Sequence, residues 1–423
     1  MQRFRKDNHH KSSRNYLSLK KLIKTKKAKI AVIGIGYVGQ ALAKASRKAG
    51  FATVGIDISL QAISQLNGLK IKRLKATSDY SQVKNCDIIC VCVPTPISPS
   101  NRPDLKIIKN VCRKLSKYLR PAQLVIVESS VSPGTTKNLI GKLLEGSGLT
   151  CGRDYFLAHS PERIDLANIK YTIENTPKVV GAPDHNSQKL AVMFYQSFVK
   201  KVITVSSVEV AEMTKILENV FRFVNISLVN ELQQYTQALK ISIWEVIRAA
   251  ATKPYGFLAH WPGPGIGGDC IPVLPYYLLQ SAKSRKVNLT IVRAASKVNE
   301  NQPAKIIKKA ILAINGKTTP KALIIGVSYK PETADLRHSP ALKIWEDLKK
   351  HEVAVSYHDP YVSYVNGSKS TTLSYQNIKE QDLIIIATHH KNIKYENLVN
   401  FKKPLIDTRN VLAKYKGKNI IRL

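Results

Sequence analysis

The strongest constraint on the fold is a strand, glycine turn and helix pattern that begins at residue 29. A short apolar run at 29–33 leads into GIGYVG at 34–39, and a segment of helical composition follows. Glycines in this spacing permit a tight turn, the approach of a pyrophosphate and close packing of helix on strand. A second apolar run ends at Asp57, where a carboxylate can accept hydrogen bonds from a ribose diol. The pattern predicts a dinucleotide-binding unit that takes NAD rather than NADP.

Apolar runs of strand length continue to alternate with helical segments through the first half of the chain. They lie at 87–93, 123–128 and 178–181, and this alternation predicts a parallel sheet. Hydroxyl-rich turns follow two of these strands, at 94–96 and 129–136. Because ligands bind at the C-terminal ends of parallel strands, we expect these hydroxyls to face a cofactor or substrate. Ordinary helix capping by Ser or Thr is the competing interpretation.

The pattern changes to one long helix between Val208 and Leu239. Apolar residues recur there at steps of three and four, and Lys215 and Asn219 share a face. Both side chains are therefore able to point into one site, although a lone lysine is more often solvated. The apolar stripe either packs internally or forms a dimer seam. Strand-like runs restart after residue 303, at 321–327, 353–357 and 382–387, with a helix at about 340–350, and predict a second nucleotide-binding-like sheet.

Length and composition restrict the class of protein. A chain of 423 residues with 44% hydrophobic content is expected to form two or three domains. It has neither a stretch of membrane-spanning length nor a secretory signal, so we expect a cytoplasmic protein. The six cysteines lack a paired spacing, and four of them, at 86, 90, 92 and 112, read as core residues. No cysteine and histidine cluster has metal-ligand spacing, and we predict no metal.

The net charge of +37 is high for an enzyme and admits polyanion binding. Apart from a basic N-terminal segment, however, the charge comes mostly from lysines spread along the chain. Arginine forks and aromatics interleaved with basic residues, which nucleic-acid readout would require, are not evident. The pattern argues against a dedicated nucleic-acid-binding module.

Cys270 lies in the sequence GPGIGGDCIP, at 263–272, whose surroundings suit the presentation of a thiol. Dense glycines let a backbone approach a ligand, and the flanking prolines restrict the loop. A thiolate held there is able to attack a carbonyl. The alternative is a glycine-rich surface turn with an incidental cysteine.

Eight motifs in order resemble the UDP-glucose/GDP-mannose dehydrogenase family, most closely its members that act on UDP-N-acetylhexosamines. The resemblance covers nearly everything after Lys29. The motifs are GIGYVG (34–39), VPTP (93–96), ESSVSPGTT (128–136), SPER (160–163), AEMTKILENVFRFVNISLVNEL (211–232), GPGIGGDCIP (263–272), GVSYKPETADLRHSPAL (326–342) and DTRNV (407–411). The SPER form and the KPYGF segment at 253–257 look like the N-acetylhexosamine branch.

The resemblance implies a fold of two Rossmann-like, doubly wound parallel-sheet α/β domains, bridged by a long central helix and a helical dimerisation region. The expected divisions are a basic N-terminal tail (1–28), an NAD-binding domain (29–205), a central helical dimerisation domain with the catalytic lysine and cysteine loop (206–303), and a UDP-sugar-binding domain (304–423). A homodimer or higher homo-oligomer follows from the same comparison.

The family implies a four-electron oxidation of the sugar C6 alcohol to a carboxylate, with NAD as cofactor. Cys270 matches the nucleophile that adds to the C6 aldehyde, giving a thiohemiacetal and then a thioester that water hydrolyses. Lys215 and Asn219 match a pair that stabilises oxyanions and positions water. Glu162 matches a carboxylate implicated in acid-base work, and Ser130 keeps the hydroxyl of a frequent threonine. The cofactor contacts implied by the resemblance are Gly34, Gly36, Tyr37, Val38, Gly39, Asp57, Thr95 and Arg337; the implied substrate contacts are Arg163, Lys215, Gly265, Gly267 and Lys330.

The sequence departs from the family pattern in three places. Leu274 stands where the family usually has an Asp that handles protons, and leucine can neither accept a proton nor orient water. Asp269 precedes the nucleophile where this branch commonly has His, and a nearby carboxylate tends to raise a thiol pKa. Leu166-Ala167 stands where the branch usually has Pro-Gly.

The sequence therefore predicts an NAD-dependent UDP-N-acetylhexosamine 6-dehydrogenase for polysaccharide or glycan synthesis, with UDP-N-acetylglucosamine as the first choice of substrate. UDP-N-acetylmannosamine and UDP-glucose stay open, because discrimination at C2 depends on side-chain positions. The alternative from a different class is a catalytically impaired paralogue that binds polyanions, motivated by Leu274 and the charge.

Overall fold

The structure is a computed structural model that describes residues 2–165, 168 and 170–423. The Leu166-Ala167 departure lies outside the described residues. The chain forms two compact units. One comprises the chain up to Glu218 together with Tyr276–Ser281, and the other comprises Asn219–Pro275 and Ala282–Leu423.

The first unit is built on a six-stranded parallel sheet. Its elements are α1 (Gln2–Lys24), β1 (Lys29–Ile33), α2 (Tyr37–Lys48), β2 (Ala52–Ile56), α3 (Leu60–Gly68), β3 (Leu74–Thr77), β4 (Ile88–Val91), α4 (Lys106–Ser116), β5 (Leu124–Val127), α5 (Lys142–Leu144), β6 (Phe156–His159), β7 (Lys178–Val180), α6 (His185–Tyr195), β8 (Val202–Thr204) and the start of α7 (Val208–Ala238). The strand order is β3-β2-β1-β4-β5-β6, which is that of the doubly wound dinucleotide-binding fold.

Both faces of this sheet are covered, which explains why its strands read as continuous apolar runs. Alternate residues of β1 point to opposite faces: Ile30 and Val32 lie in one buried cluster, while Ala31 and Ile33 lie in the other. A separate pair of parallel strands, β7 and β8, follows the six-stranded sheet.

The basic N-terminal segment, expected as a tail, forms helix α1. Leu19 and Ile23 on this helix are fully buried in the same cluster as Ile30, and α1 packs against α6. The Ser12 hydroxyl donates a hydrogen bond to the Gly152 carbonyl at 2.9 Å. The sequence did not predict this helix, because the few apolar residues that pack against the core stand among many lysines.

The second unit carries a five-stranded parallel sheet. Its elements are the rest of α7, α8 (Ile243–Ala250), α9 (Leu274–Ser284, shared with the first unit), α10 (Thr290–Ala313), β9 (Lys321–Ile325), α11 (Pro340–Lys350), β10 (Ala354–His358), β11 (Tyr364–Val365), β12 (Ser368–Lys369), α12 (Tyr375–Lys379), β13 (Leu383–Ile386), α13 (Glu396–Val399), β14 (Leu405–Asp407) and β15 (Ile420–Arg422). The order β10-β9-β13-β14-β15 is again doubly wound, and β11 and β12 form an antiparallel hairpin.

The predicted fold class is confirmed: two Rossmann-like parallel sheets occur in a chain with a long central helix. Among the described residues, no helix combines the length and apolar character that a membrane crossing requires.

Candidate active site

The glycine turn after β1 has the geometry of a pyrophosphate site. Gly34 has φ of 86°, and a Cβ there would lie 2.7 Å from the Cys92 carbonyl oxygen. A Cβ on Gly39 would collide with the Gly34 oxygen, so both positions require glycine for packing. A Cβ on Gly36 would meet no protein atom within 4 Å. The open space at Gly36, at the N-terminus of α2, fits the approach of a dinucleotide phosphate.

Asp57 lies at the C-terminal end of β2 with its carboxylate oriented by two backbone amides. Oδ2 accepts from the Ile35 amide at 2.7 Å, and Oδ1 accepts from the Ser59 amide at 2.9 Å. Each oxygen keeps a lone pair for a ribose hydroxyl. Tyr37 is exposed at the first turn of α2, next to the half-buried Val38. The residues of this segment that were predicted to contact NAD thus lie around one turn.

The hydroxyls after β4 and β5 bind the neighbouring loop. The Thr95 hydroxyl donates to the Ser130 carbonyl at 2.7 Å, and the Ser129 hydroxyl donates to the Val93 carbonyl at 2.7 Å. Two of the side chains expected to face a ligand therefore hold these loops together, while Ser130 lies half-buried at the end of β5.

Tyr277, which the sequence did not single out, fixes the loop after β4. This buried tyrosine of α9 donates to the Thr95 and Pro96 carbonyls at 3.0 and 3.2 Å, and its own carbonyl accepts from the Ser132 hydroxyl at 3.3 Å. A tyrosine among apolar helix residues reads as core, so the sequence offered no signal for this role.

Glu162 and Arg163 follow β6 in the SPER segment. The Glu162 carboxylate accepts from the amides of Arg163 and Ile164, which turns it back onto its own loop. Arg163 forms a salt bridge with Glu218 of α7 at 2.7 Å and donates to the Pro177 carbonyl at 2.6 Å. Arg163, predicted to contact substrate, thus ties the SPER segment to α7.

Lys215 and Asn219 lie one turn apart on α7, as predicted. Lys215 is 9% exposed. The Asn219 Nδ2 is buried and has no hydrogen-bond partner among the described residues. A buried amide donor without an acceptor is costly, so this orientation favours a ligand or water at Asn219.

In the second unit, the glycine loop packs its backbone against the segment 329–338. Gly265 has φ of 135°, and a Cβ on Gly267 would lie 2.5 Å from the Tyr329 Cβ. The Gly268 amide donates to the Arg337 carbonyl at 2.9 Å. The glycines therefore have a packing requirement within the protein, and they bring Cys270 to an exposed position at the end of the loop.

The carboxylate beside Cys270 is engaged by Arg337. Asp269 and Asp335 both form salt bridges with the Arg337 guanidinium. Arg337, predicted to reach the cofactor, thus has two carboxylate partners within its own unit. Leu274 is 1% exposed at the start of α9, and its amide donates to the Cys270 carbonyl at 3.0 Å. Its burial explains how the chain accommodates an apolar residue there.

Lys330 lies in a loop anchored by a buried carboxylate. Asp359 accepts from the Val327 and Ser328 amides at 2.8 and 3.1 Å, and its Oδ2 lies 3.3 Å from the His390 Nε2. The Ser328 hydroxyl in turn donates to the Lys330 carbonyl at 3.0 Å. The sequence did not predict this anchor because its members are distant in the chain.

The remaining cysteines differ from Cys270 in accessibility. Cys86, Cys90 and Cys112 are buried, in agreement with their interpretation as core residues, whereas Cys92 and Cys151 are half-buried. Burial raises the pKa of Cys86 and Cys112 to about 12. In the described part of the chain, no group of three His, Cys, Asp or Glu residues has an arrangement able to hold a metal.

Comparison with known proteins identifies the family. Models of the NAD-binding, central and UDP-binding domains of the UDP-glucose/GDP-mannose dehydrogenase family match residues 68–199, 209–301 and 323–414. A UDP-N-acetyl-D-mannosamine dehydrogenase from Pyrococcus horikoshii is 32% identical, over 91% of this chain and 96% of that protein. The chain belongs to the UDP-glucose/GDP-mannose dehydrogenase family.

Other members of this family are similar over comparable lengths. A UDP-N-acetyl-D-glucosamine 6-dehydrogenase from Pseudomonas aeruginosa is 30% identical, over 89% of this chain and 94% of that protein. The solved structure of a UDP-D-ManNAc dehydrogenase from P. horikoshii has a TM-score of 0.85 at 30% identity, covering 93% of this chain and 98% of that one. The chain is thus an NAD-dependent nucleotide-sugar dehydrogenase, and the predictions of family, enzyme class and cofactor are confirmed.

Proposed function

We propose that the chain oxidises the C6 alcohol of a UDP-N-acetylhexosamine, with UDP-N-acetylglucosamine as first choice, to the uronate. The observation that carries the proposal is the exposure of Cys270 at the end of a glycine loop fixed by backbone packing. A fixed, accessible thiol suits addition to an aldehyde and release of a thioester to water.

Each oxidation removes one hydride from the C6 carbon, and NAD supplies the hydride acceptor when bound. The alcohol first becomes an aldehyde with loss of a proton. The Cys270 sulfur then forms a bond to the aldehyde carbon, which gives a thiohemiacetal. The second oxidation converts this thiohemiacetal to a thioester. Water then cleaves the C–S bond to give the carboxylate and the thiol. The two oxidations together release four electrons, which two bound NAD molecules would accept.

Lys215 and Asn219 have the roles of oxyanion stabilisation and water positioning. A buried ammonium and a buried amide donor one turn apart are able to bind the same developing negative charge. Glu162 and Ser130 have the roles of acid-base and hydroxyl groups. Lys330, Arg163, Gly265 and Gly267 are assigned to substrate, and Arg337 to cofactor.

The identity of the sugar has two supported candidates. Relatives named for UDP-N-acetyl-D-mannosamine and for UDP-N-acetyl-D-glucosamine match at similar identity. The comparisons therefore support UDP-N-acetylmannosamine as well as our first choice, and UDP-glucose is the third substrate to test.

The test measures NADH formed per UDP-sugar consumed, with product identification by mass, on these three substrates. We expect two NADH and a uronate from the wild type, and no uronate from Cys270→Ser. Leu274→Asp is assayed in parallel. Because burial of a carboxylate at the Leu274 site is costly, thermal unfolding is used to check that the Leu274→Asp variant is folded.

Turnover by the wild type on one substrate identifies the sugar and shows that Leu274 is tolerated. Absence of turnover on all three, with activity only in Leu274→Asp, would contradict the proposal. In that case, salt-sensitive binding of the wild type to DNA or RNA would support the polyanion-binding alternative.

We also propose a homodimer through α7. Five large apolar side chains form one stripe that runs along this helix to the residue that follows it. They are 42–63% exposed and recur at steps of seven, four, three and four residues: Phe221, Leu228, Leu232, Tyr235 and Leu239. An exposed stripe of this length is typical of a helix that packs against another chain.

A further inference from the structure

A buried carboxylate outside the predicted site joins α7 to the loop after β5. Glu212 is 1% exposed. Its Oε2 accepts from the Gly134 amide at 2.5 Å, and its Oε1 accepts from the Thr136 amide at 2.7 Å. Two backbone donors thus bind the two oxygens of one carboxylate, which fixes the loop in register with the helix.

The Thr136 hydroxyl extends this contact to β6. Its oxygen lies 3.1 Å from the Nδ1 of His159, which is fully buried, while the amide of the same residue donates to Glu212. A hydroxyl is both a donor and an acceptor, so it pairs with the Nδ1 of His159 in either tautomer of the neutral imidazole. Burial lowers the pKa of His159 to about 3, which keeps the imidazole neutral. The Nε2 atom is buried without a hydrogen-bond partner among the described residues.

The network connects the three segments of the first unit that carry proposed catalytic groups. Lys215 follows Glu212 by three residues on α7, Ser130 precedes Gly134 in the loop after β5, and Glu162 follows His159 in the SPER segment. Burial of a carboxylate costs stability. Because Glu212 is buried where these segments meet and binds two backbone amides, we consider a role in aligning them.

We propose that Glu212 is a positioning residue for the oxidation, and that it acts through Thr136 and His159 to align Ser130, Glu162 and Lys215. Glu212 does not touch the substrate. The inference rests on the proposed function, because it takes the roles of those three residues from there.

The first test compares Glu212→Gln with Glu209→Gln. The introduced amide has the shape of the carboxylate but turns an N–H₂ donor towards a backbone N–H, which breaks one of the two bonds. Glu209 lies about one turn earlier on α7 and is half-buried, so its variant controls for loss of a charge. We expect kcat of Glu212→Gln to fall about 100-fold, as misplacement of reacting groups does, with KM for NAD and UDP-sugar within about threefold. Glu209→Gln stays within about twofold of the wild type in both constants.

A second pair of variants tests the link to His159. Thr136→Ser keeps the hydroxyl and is expected to retain kcat, whereas Thr136→Val removes it and is expected to lose about tenfold. Wild-type kcat in Glu212→Gln, or a change confined to KM, would overturn the inference. The inference would also be overturned if thermal unfolding showed that the whole loss of kcat came from unfolded protein.

Amide hydrogen exchange separates this inference from the proposed function. If the wild type oxidises no UDP-sugar, the proposed function fails, and the exchange of peptides covering 130–136 and 159–164 then decides the inference. Faster exchange of both peptides in Glu212→Gln than in Glu209→Gln, with both variants folded, supports alignment by Glu212. Equal exchange in the two variants overturns it.

Discussion

At the scale of single residues, accessibility separates Cys270 from the other five cysteines. Cys270 is exposed, whereas burial raises the pKa of Cys86, Cys112 and Cys151 to about 12. Since alkylation requires thiolate, a thiol with a pKa near 12 reacts about 10⁴ times less often at pH 8 than a fully ionised one.

We therefore expect iodoacetamide at pH 8 to modify Cys270 first and to abolish NADH formation in step with modification. Peptide mass spectrometry identifies the modified residue, and Cys270→Ser should show no fast labelling phase. Earlier modification of Cys92 or Cys151 would contradict the accessibility that the structure gives these thiols.

Glu212 gives the stability of the protein a particular pH dependence. Burial raises its pKa from an ordinary 4.5 to about 7, and the amides of Thr136 and Gly134 oppose this shift only in part. The nearby Glu209 on the same helix raises the pKa further, and His159 stays neutral. A carboxyl whose pKa is higher in the folded state binds more protons there, so stability falls as pH rises between about 4.5 and 7.

The prediction is that urea unfolding of wild type and Glu212→Gln gives free energies whose difference depends on pH. Relative to the variant, the wild type should lose roughly 1.4 kcal/mol of unfolding free energy for each pKa unit of the shift as pH rises from about 4.5 to about 7, and little more above that range. Glu209→Gln serves as the control that retains most of this loss, because Glu209 makes the smallest contribution to the raised pKa of Glu212. Parallel curves for wild type and Glu212→Gln would rule out a raised pKa.

At the scale of elements, helix α1 shows that a basic segment is able to belong to a core. Leu19 is fully buried, whereas Leu17 on the same helix is 59% exposed. We expect Leu19→Ala to lower the free energy of unfolding by about 2–5 kcal/mol, because it leaves a cavity. Leu17→Ala should change it by less than about 0.5 kcal/mol. Denaturant unfolding of both variants measures the difference, and equal effects would mean that α1 does not pack as described.

The regular elements were predictable from local patterns. The apolar runs at 29–33, 87–93 and 321–327 contain strands, and they are apolar throughout because both faces of each sheet are covered. The predicted helix from Val208 to Leu239 differs from α7 by one residue. Helix α1 was not predicted, because its two buried residues, Leu19 and Ile23, stand among lysines. Two apolar positions in a charged segment give too weak a periodicity.

The residues of the candidate site also fall into two groups, those that local sequence predicts and those that depend on distant contacts. The glycine turn, Asp57 and the thiol of Cys270 follow from local spacing, since each depends on neighbours in sequence. The contacts of Glu212 and Tyr277 join residues 76 to 182 positions apart, and no local pattern encodes them. The sequence predicted that hydroxyls lie near the strand ends. It did not predict which loop they bind, because the order of the strands in the sheet decides which loops are neighbours.

At the scale of the whole molecule, the charge of +37 makes self-association depend on a contact that outweighs repulsion. In the dimer that we propose, the apolar stripe of α7 is that contact. Phe221, Leu228, Leu232, Tyr235 and Leu239 are all more than 40% exposed, and burial of such side chains contributes about 25 cal/mol for each Å² removed from water. The repulsion is screened by salt, whereas the apolar contact is not, so association should strengthen as ionic strength rises.

We expect light scattering to give a dimer mass for the wild type and a monomer mass for the double variant Leu228→Glu, Leu232→Glu. Two carboxylates facing the same stripe of a partner helix would be desolvated and would repel their counterparts, which opposes dimer formation. Gln234→Glu is the matched control, because this exposed residue lies on α7 away from the stripe and adds the same kind of charge. A monomeric wild type at both low and high salt, or a double variant that stays dimeric, would exclude the α7 stripe as the seam.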